Sequence, residues 1–569
     1  MNKFDPLKQL KEQSSVDSLA FELTLKINGA SHKIPGANVK QCQLSLVSYG
    51  FSGSVGFWLP VEQNKDQLID NFATEDLIEI DLSITPVFNL PEPPPEPLVV
   101  KGLVTDKSVI ELNYLTLSER PILYRYYRVT FADPAAVLWR QHFPCELYVD
   151  QTMASVIKAQ IPELIKLDLE LTSLNEAKPI ICLGLGKRGD VNVGSNNIQK
   201  KIDKNITAAR STSFYDFLIE YLQNNNGVLS YDYAQQKYLL SDDKPELTET
   251  KIFLPHEIFS LSSFWPETAR NNTQLLNALA DNPQQELIEQ TQAVSGVRQD
   301  KLFRCPITSE FSAKKQIETD QLVSHGECVS VKFSQWPLQS FYPNIGFKVN
   351  NEVWGTTALY ANKDYRVYQI NINIEAVAQN HEEDIDTEFT QYQLNYDVLA
   401  EQSASLKKRF PDYYSTRFPL LVEGKIVSTI GEEGKDKTYD IVENKDSGQY
   451  EYQVYIPLWD KNIKILFEPD FLNSHFYFPF YRDNKVLVAF DCYQASIVKV
   501  LSWGDRVRLP VATQGNHILF GKNDQDETSL RHIYEASKPV LDIKRKKEKD
   551  TELVRLEEGS IILQTCEEK

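Results

Sequence analysis

The segment Ser529–Thr565, SLRHIYEASKPVLDIKRKKEKDTELVRLEEGSIILQT, limits what this chain can fold into more than any other stretch does. It alternates apolar and charged residues. In a strand, successive side chains point to opposite faces. Such a segment therefore carries an apolar face with no second layer to bury it against, and it cannot build a core alone. It can fold if several copies wrap around a shared axis. Leu541, Ile543, Leu553, Leu556 and Ile562 are the residues expected at that shared interface. The expectation is an obligate symmetric assembly, with a homotrimer as the simplest case, rather than an enzyme.

Length and charge narrow the choice further. At about 150 residues per domain, 569 residues suggest roughly four domains. With 27 Tyr and 28 Phe the chain favours strands and half-buried surfaces, and with only 23 Gly it is not a glycine-periodic fibre. A net charge of −19 argues against nucleic-acid binding, which needs a basic face. The one basic run, Lys544–Lys549 (KRKKEK), reads as a solvated turn or as a contact for an acidic partner or membrane. The seven cysteines form no CxxC pair and most sit in apolar settings, as expected of reduced thiols in a cytosol-made protein. MNKFDPLKQLKEQSS at the N-terminus has no apolar signal region, and no apolar run approaches the ~20 residues of a spanning helix.

Period-two alternation dominates the chain and predicts a mainly β fold with an α+β insert. After a polar lead over 1–18, FELTLKING (Phe21–Gly29), CQLSLVSYGFSGSVGFWL (Cys42–Leu59), DLIEIDLSI (Asp76–Ile84) and YRYYRVTF (Tyr124–Phe131) read as the strands of a first β-barrel over 19–132. The Pro-rich segment Pro86–Pro97 cannot sit inside a sheet and reads as a loop, or as a ligand for a Pro-binding domain. An α+β insert is expected over 133–250. There Asp133–Gln141 and Gln151–Ile161 have helical spacing. Phe214, Phe217, Leu218 and Leu222 form one helix face between a Ser211 or Ser213 cap and Gly227. A second barrel follows over 251–390, with strands at Gly326–Phe333 and Asp364–Ala376, a polar helical or loop insert at Asn271–Gln292, and an acidic loop at His381–Glu388. Residues 391–416 read as a helical linker. A compact β module spans 417–510, opening RFPLLVEGKIVST and closing KVLVAFDCYQASIVKVLSW, and the tail occupies 511–569.

This order resembles the VgrG proteins of type VI secretion and the fused hub-spike proteins of phage tails and phage-tail-like particles, which are contractile injection systems. YRVTFADPAAVLWRQHFPCELYVDQTMASVIKAQI (Tyr127–Ile161) is similar to the strand, apolar helix and "-F-x-(D/N)-x-(S/T)-x-x-x-I-I" phrase of VgrG. SFYDFLIEYLQNNNGVLSYDY (Ser213–Tyr233) is similar to its helix-hairpin. The resemblance spans nearly the whole chain in order. It departs where CYQA (Cys492–Ala495) replaces an acidic turn and where the Val-Gly dyads of a long needle are absent, which implies a short needle. It implies two hub β-barrels, an OB-fold barrel and a C-terminal trimeric β-prism. It also implies a role: a homotrimer adapting a six-fold, Hcp-like inner-tube hexamer to a membrane-puncturing spike. The implied partners are baseplate proteins, the target membrane during injection, and a PAAR-like tip protein or effector contacting Ile561, Ile562, Leu563, Gln564 and Thr565. The protein would be assembled in the bacterial cytoplasm and delivered out of the cell, or into a target cell, on contraction.

No catalytic, cofactor or metal site is expected. Too few residues separate Trp503 from the tail strands for the lysozyme domain some phage spikes carry. Nothing after the tail is long enough for a fused effector. Glu557 and Glu558 are adjacent and should point apart, unlike a glycosidase pair. GLGKRGD (Gly184–Asp190) lacks P-loop spacing and reads as a basic turn. His517 and His532 flank the tail's base, where one His per chain could make a three-His ion site on a three-fold axis or could simply pack. Asp216 reads as a first-turn helix charge. The alternative function is a monomeric or dimeric carbohydrate- or peptide-binding β protein with the OB-like module as its reader. The charged amphipathic tail would have no use in such a protein.

Overall fold

The alternating N-terminal stretch folds as long antiparallel strands, β1 (Ser15–Ile27), β2 (Ala30–Ile34), β3 (Val39–Val47), β4 (Gly50–Pro60), β5 (Ile78–Pro86), β6 (Leu98–Tyr114) and β7 (Ile122–Ala132). The computed structural model describes residues 15–567 except 62–65, 88–95, 115–121, 187–211, 248, 254–255, 280–282, 306–307, 322–325, 350–358, 361–362, 380–386, 432–437, 445–449, 467–478, 503–515 and 523–525. Residues 1–14 of the polar lead, the core of the Pro-rich segment, most of the acidic loop, the basic end of GLGKRGD and the link after Trp503 lie outside the described residues, while residues 15–18, expected in the lead, open β1.

Register shows why the first strands pair as they do. Phe21, Leu23, Leu25 and Ile27 of β1 stand opposite Ile84, Leu82, Ile80 and Ile78 of β5. All eight are buried, so a slip of one residue would turn both apolar rows outward. Asn28 and Gly29, both at positive φ, make the two-residue turn from β1 to β2.

Along 133–250 come β8 (Cys145–Thr152), β9 (Leu167–Leu169), β10 (Ala177–Gly184), β11 (Val228–Asp232) and β12 (Lys237–Ser241), with helices at Pro134–Leu138, Met153–Ala159 and Phe214–Asn224. The three expected helices are present. Asp133 caps the first, its buried carboxylate accepting from Ala136 N at 3.0 Å, Phe51 N at 3.3 Å and the Tyr238 hydroxyl. Burial raises its pKa, and those three hydrogen bonds oppose the rise.

The next stretch holds β13 (Thr250–Phe253), β14 (Ile258–Phe264), β15 (Asn272–Asn277), β16 (Gln284–Ile288), β17 (Arg298–Phe303), β18 (Cys328–Phe333), β19 (Gly346–Val349), β20 (Asp364–Ala376) and β21 (Phe389–Gln402), with a helix at Thr308–Gln321. Two expectations are corrected here. Asn271–Gln292 is neither helix nor loop: β15 and β16 pair, with β17 parallel to β15, around Leu275, Ile288, Cys305 and Phe311. Residues 391–416 are not a helical linker. Thr390, Tyr392, Leu394, Tyr396, Val398 and Ala400 are buried at strict period two in β21. LAEQSASLKK (Leu399–Lys408) is made largely of residues that favour helix, but burial along β21 follows the alternation and overrides local propensity.

β20 and β21 organise this unit. The hydrogen-bonded circuit β1–β5–β6–β7–β4–β3–β20–β21 closes back on β1, so the first barrel needs two strands from the second half of the chain. The same two strands head a second curl, β13–β19–β20–β21–β18–β14, whose ends stay unpaired to each other among the described residues. The fold is therefore mainly β, with one sheet running through both curls.

After β21 the chain runs without regular structure to Leu420. Helix Phe214–Asn224 holds it. Asp216 and Ser213 form a capping box, and the other Asp216 oxygen accepts from Tyr414 N at 3.3 Å. Glu220 accepts from Thr416 N at 2.7 Å, and the Thr212 hydroxyl donates to Ser415 O at 3.0 Å.

The second compact unit comprises Cys145–Gln151, Ala177–Gly184 and Arg417–Lys569. Its strands are β22 (Leu420–Val427), β23 (Ile441–Glu443), β24 (Tyr450–Ile456), β25 (Lys461–Leu466), β26 (Lys485–Phe490) and β27 (Ala495–Ser502), ordered β23–β24–β22–β26–β27 with β25 also on β24. β8 and β10 pair with each other, and their Leu147, Ile180 and Cys182 join the core of Ile426, Tyr452, Val454, Val488 and Phe490. Part of the expected insert thus packs with the module that begins more than two hundred residues later. At Gly424 a Cβ would lie 2.7 Å from Val454 Cγ1 and 3.0 Å from Ile456 Cδ1, so the core packed over β22 leaves no room for a side chain there. The tail is an antiparallel meander, β28 (Asn516–Lys522), β29 (Asp526–Glu535), β30 (Lys538–Lys547), β31 (Asp550–Glu557) and β32 (Ser560–Cys566).

Asp216 ties the helix to the irregular segment. Asp216→Ala should cost about 1–3 kcal/mol of unfolding free energy in chemical denaturation, the range for lost hydrogen bonds to a charged group. It should also speed proteolytic cutting within residues 403–416.

Candidate assembly surface

The tail sheet is built for hairpins. Ala536 and Ser537 at φ 49° and 66°, and Glu558 and Gly559 at φ 35° and 80°, make two-residue turns with both central residues left-handed. That backbone twist matches antiparallel strands, and it fixes the register of β29 on β30 and of β31 on β32.

Register assigns every side chain to a face. On one face, Ile518, Leu530, Ile543, Val554 and Leu563 stand side by side across all five strands. The neighbouring row is Asn516, His532, Leu541, Leu556 and Ile561. In one chain this face is open: Ile543 is 54 %, Ile561 73 % and Leu563 75 % exposed. The opposite face carries Ile533 and Val540, both buried, beside a row of Arg531, Asp542, Arg555 and Ile562.

Asp542 is wholly buried. It accepts from Arg531 Nε at 2.8 Å and from Arg555 Nε at 2.8 Å and Nη2 at 3.1 Å. Arg555 also donates to both oxygens of Glu535, at 3.0 and 3.1 Å. Burial alone would raise the Asp542 carboxyl, but the hydrogen bonds from Arg555 and Arg531 outweigh it and hold the pKa below the usual carboxylate range. This ionic clip joins β29, β30 and β31 on one face and leaves the apolar rows to the other.

The residues singled out from the sequence divide accordingly. Leu541, Ile543 and Leu556 fall together on the open apolar face. Leu553 and Ile562 fall on the opposite face, because each is an odd number of residues from a strand neighbour that faces the first way. Ile518, Leu530 and Val554 complete the stripe and were not singled out. Counting parity from Ile543 across each hairpin identifies them once the turns are fixed. Of the five tip residues, Ile561, Leu563 and Thr565 share the apolar face, and Ile562 and Gln564 the other. β32 is the outer strand of the sheet among the described residues.

The other candidates have local roles. Glu557 stands opposite Ser560 in the ladder, and Glu558, in the turn, bonds Lys538 at 2.5 Å. The His532 ring packs edge-on against Tyr534 at 5.1 Å, and the His517 side chain lies outside the described residues. Lys544 lies 3.7 Å from Glu527, so the basic run is partly neutralised within the sheet. Cys145 and Cys566 are exposed, Cys492 is partly exposed, and Cys42, Cys182, Cys305 and Cys328 are buried, and none of the seven is joined in a disulfide. Among the described residues no group of three or more His, Cys, Asp or Glu is placed to hold a metal.

No family model matches the sequence, and no curated protein does. Solved structures do match. A chain of the Francisella PdpA-VgrG complex, in its half-lidded form, aligns at a TM-score of 0.69 with 14 % identity, covering 99 % of this chain and 91 % of that one. The lidless form gives 0.67 at 14 % identity, covering 97 % and 100 %. The lidded form gives 0.68 at 14 % identity, covering 96 % and 80 %. The β-rich architecture is thus shared with a chain of the PdpA-VgrG complex across nearly its whole length.

The depressed Asp542 pKa sets a pH window. Its contribution to stability is fully present above the unfolded value of about 3.9 and is lost as pH falls through the lower folded value. Melting temperature should therefore hold steady from pH 7 down to about 4 and fall below that. Asp542→Asn should lower the melting temperature at pH 7 and flatten the acid limb.

Proposed function

We propose that this protein is the hub-spike of a contractile injection system, assembled as a homotrimer. The observation that carries the reading is the continuous apolar row Ile518–Leu530–Ile543–Val554–Leu563, of which Ile518, Ile543 and Leu563 are exposed and Leu530 and Val554 half-buried among the described residues. Three such sheets placed about an axis, apolar faces inward, bury one another's rows and leave the Arg531–Asp542–Arg555 clip outside. The shared fold with a chain of the PdpA-VgrG complex supports the same reading.

In this reading the two curls built on β20 and β21 give each chain two similar units. Three chains then present six units to a hexameric, Hcp-like tube. The β22–β27 module acts as the OB-type collar, and the tail as the prism. The work done is symmetry adaptation and transmission of force, with no bond made or broken. The protein would assemble in the bacterial cytoplasm with baseplate proteins and leave on contraction, to meet a target membrane. The exposed edge of β32, with Ile561 and Leu563, would take a small conical PAAR-like partner or an effector carrying one, since an open apolar edge invites strand pairing.

Ile543→Asp with Val554→Asp should convert the trimer to monomers in analytical ultracentrifugation at micromolar concentration. Leu553→Asp, on the opposite face, should leave the trimer intact. A wild-type protein that sediments as a monomer contradicts the reading.

A further inference from the structure

Beneath the irregular segment that follows β21, cations from separate parts of the first unit converge on Glu401. This carboxylate is 2 % exposed and accepts from Lys244 Nζ at 2.5 Å and from Arg409 Nη2 at 3.0 Å. Arg409 also lies over the Tyr368 ring, 3.5 Å from its centroid. Arg366, on β20 opposite Glu401 in the ladder, is only 7 % exposed. Its Nε and Nη1, and the Nε of Arg409, are closed off from solvent with no hydrogen-bond partner among the described residues.

These groups surround a cavity of about 20 Å³, lined by Lys244, Arg366, Lys408, Arg409, Glu401 and Tyr368 among others. Lys408 is turned toward backbone carbonyls, donating to Asp242 O at 2.6 Å and to Asn226 O, with the carboxylates of Asp242 and Asp243 attracting it. That leaves Lys244, Arg366 and Arg409 facing Glu401, the one carboxylate lining the cavity among the described residues; Lys407 and Asp412, of opposite charge, line the adjoining pocket that shares Arg409. Desolvation makes holding these charges unfavourable: it pulls down the pKa of Lys244, Arg366 and Lys407 alike. Arg366 is buried, and the side chains of Lys244 and Arg409 are only 16 % and 22 % exposed; a positive excess so far withdrawn from water is rare unless something neutralises it. Here it occurs in a chain whose net charge is −19.

Cavity size decides what can enter. A water-sized particle needs about 10–15 Å³, so this space admits one such particle and excludes a tetrahedral oxyanion. A water could accept from Arg366 but would leave the excess charge unanswered. We propose that the cavity is a binding site for one chloride ion, held by the unpartnered donors of Arg366 and Arg409. The ion clips the irregular segment carrying Arg409 onto β20 and β21, the strands that close the barrel.

The test uses full-length protein melted in sodium chloride and in sodium gluconate at equal ionic strength. Chloride should raise the melting temperature, and the gain should grow with the logarithm of its concentration, as for a ligand bound only by the folded state. Arg366→Gln should abolish that dependence. Should the variant fail to fold, wild-type crystals soaked in bromide still decide: an anomalous peak within hydrogen-bonding distance of Arg366 Nε supports the site. Equal melting in both salts, an unchanged chloride dependence in Arg366→Gln, or bromide absent from the cavity overturns it. None of these readouts depends on trimer formation or on a tube partner, so the chloride site can fail while the hub-spike reading stands.

Discussion

The main-chain pairing of β20 with β21 is the constraint on which the first unit rests. Each of these strands serves two curls at once: β20 also pairs with β3 and β19, and β21 with β1 and β18. A strand paired on both sides has no free edge, and its side chains are shared between cores. Ile370, Ile372 and Ile374 of β20 alternate inward, as do Leu394, Tyr396 and Val398 of β21. Closing a barrel with strands more than two hundred residues away has a large loop-closure cost, which grows only slowly with length and is met by the apolar burial that closure completes. The unit should therefore fold as one, with neither curl complete without this pair.

The irregular segment after β21 is held by side chains in place of a backbone ladder. Asp216 and Glu220 receive its amides, Lys408 reaches back to backbone carbonyls, and Arg409 packs on Tyr368 and bonds Glu401. Buried backbone amides must find partners, and where no strand or helix supplies them, charged and polar side chains do. This accounts for the density of ionised groups around Glu401 in an otherwise apolar region.

The tail solves a different problem with the same rules. Its ionic clip saturates one face of the sheet, Asp542 bridging two arginines that stand on the strands to either side. The other face is left apolar across five strands. A single sheet gains little from such a face in isolation, since burial needs a second layer. The segregation is partial: Ile533, Val540, Leu553 and Ile562 share the face of the clip, and Arg545 pairs with Glu552 at the end of the apolar face.

Much of this was legible in the sequence. Period-two alternation in Phe21–Ile27 and in the tail determined the strands, because side-chain direction in a strand is purely local. Ser213 and Asp216 determined the helix start for the same reason: a capping box is complete within four residues. The tail's strands and the exposed apolar row they carry were also legible in outline, from alternation alone. What only the tertiary structure decided were the facts set by distant partners. Parity alone could not place Leu553 and Ile562 opposite Ile543 until the hairpin turns fixed the register. Thr390–Ala400 became a strand because pairing along both edges and burial of one face outweighed the helical reading. β8 and β10 joined a core whose other members lie far along the chain, and Arg366 met Glu401 only across the β20–β21 ladder. Local chemistry determines direction and propensity, but which surfaces meet depends on chain closure, and that is a property of the folded whole.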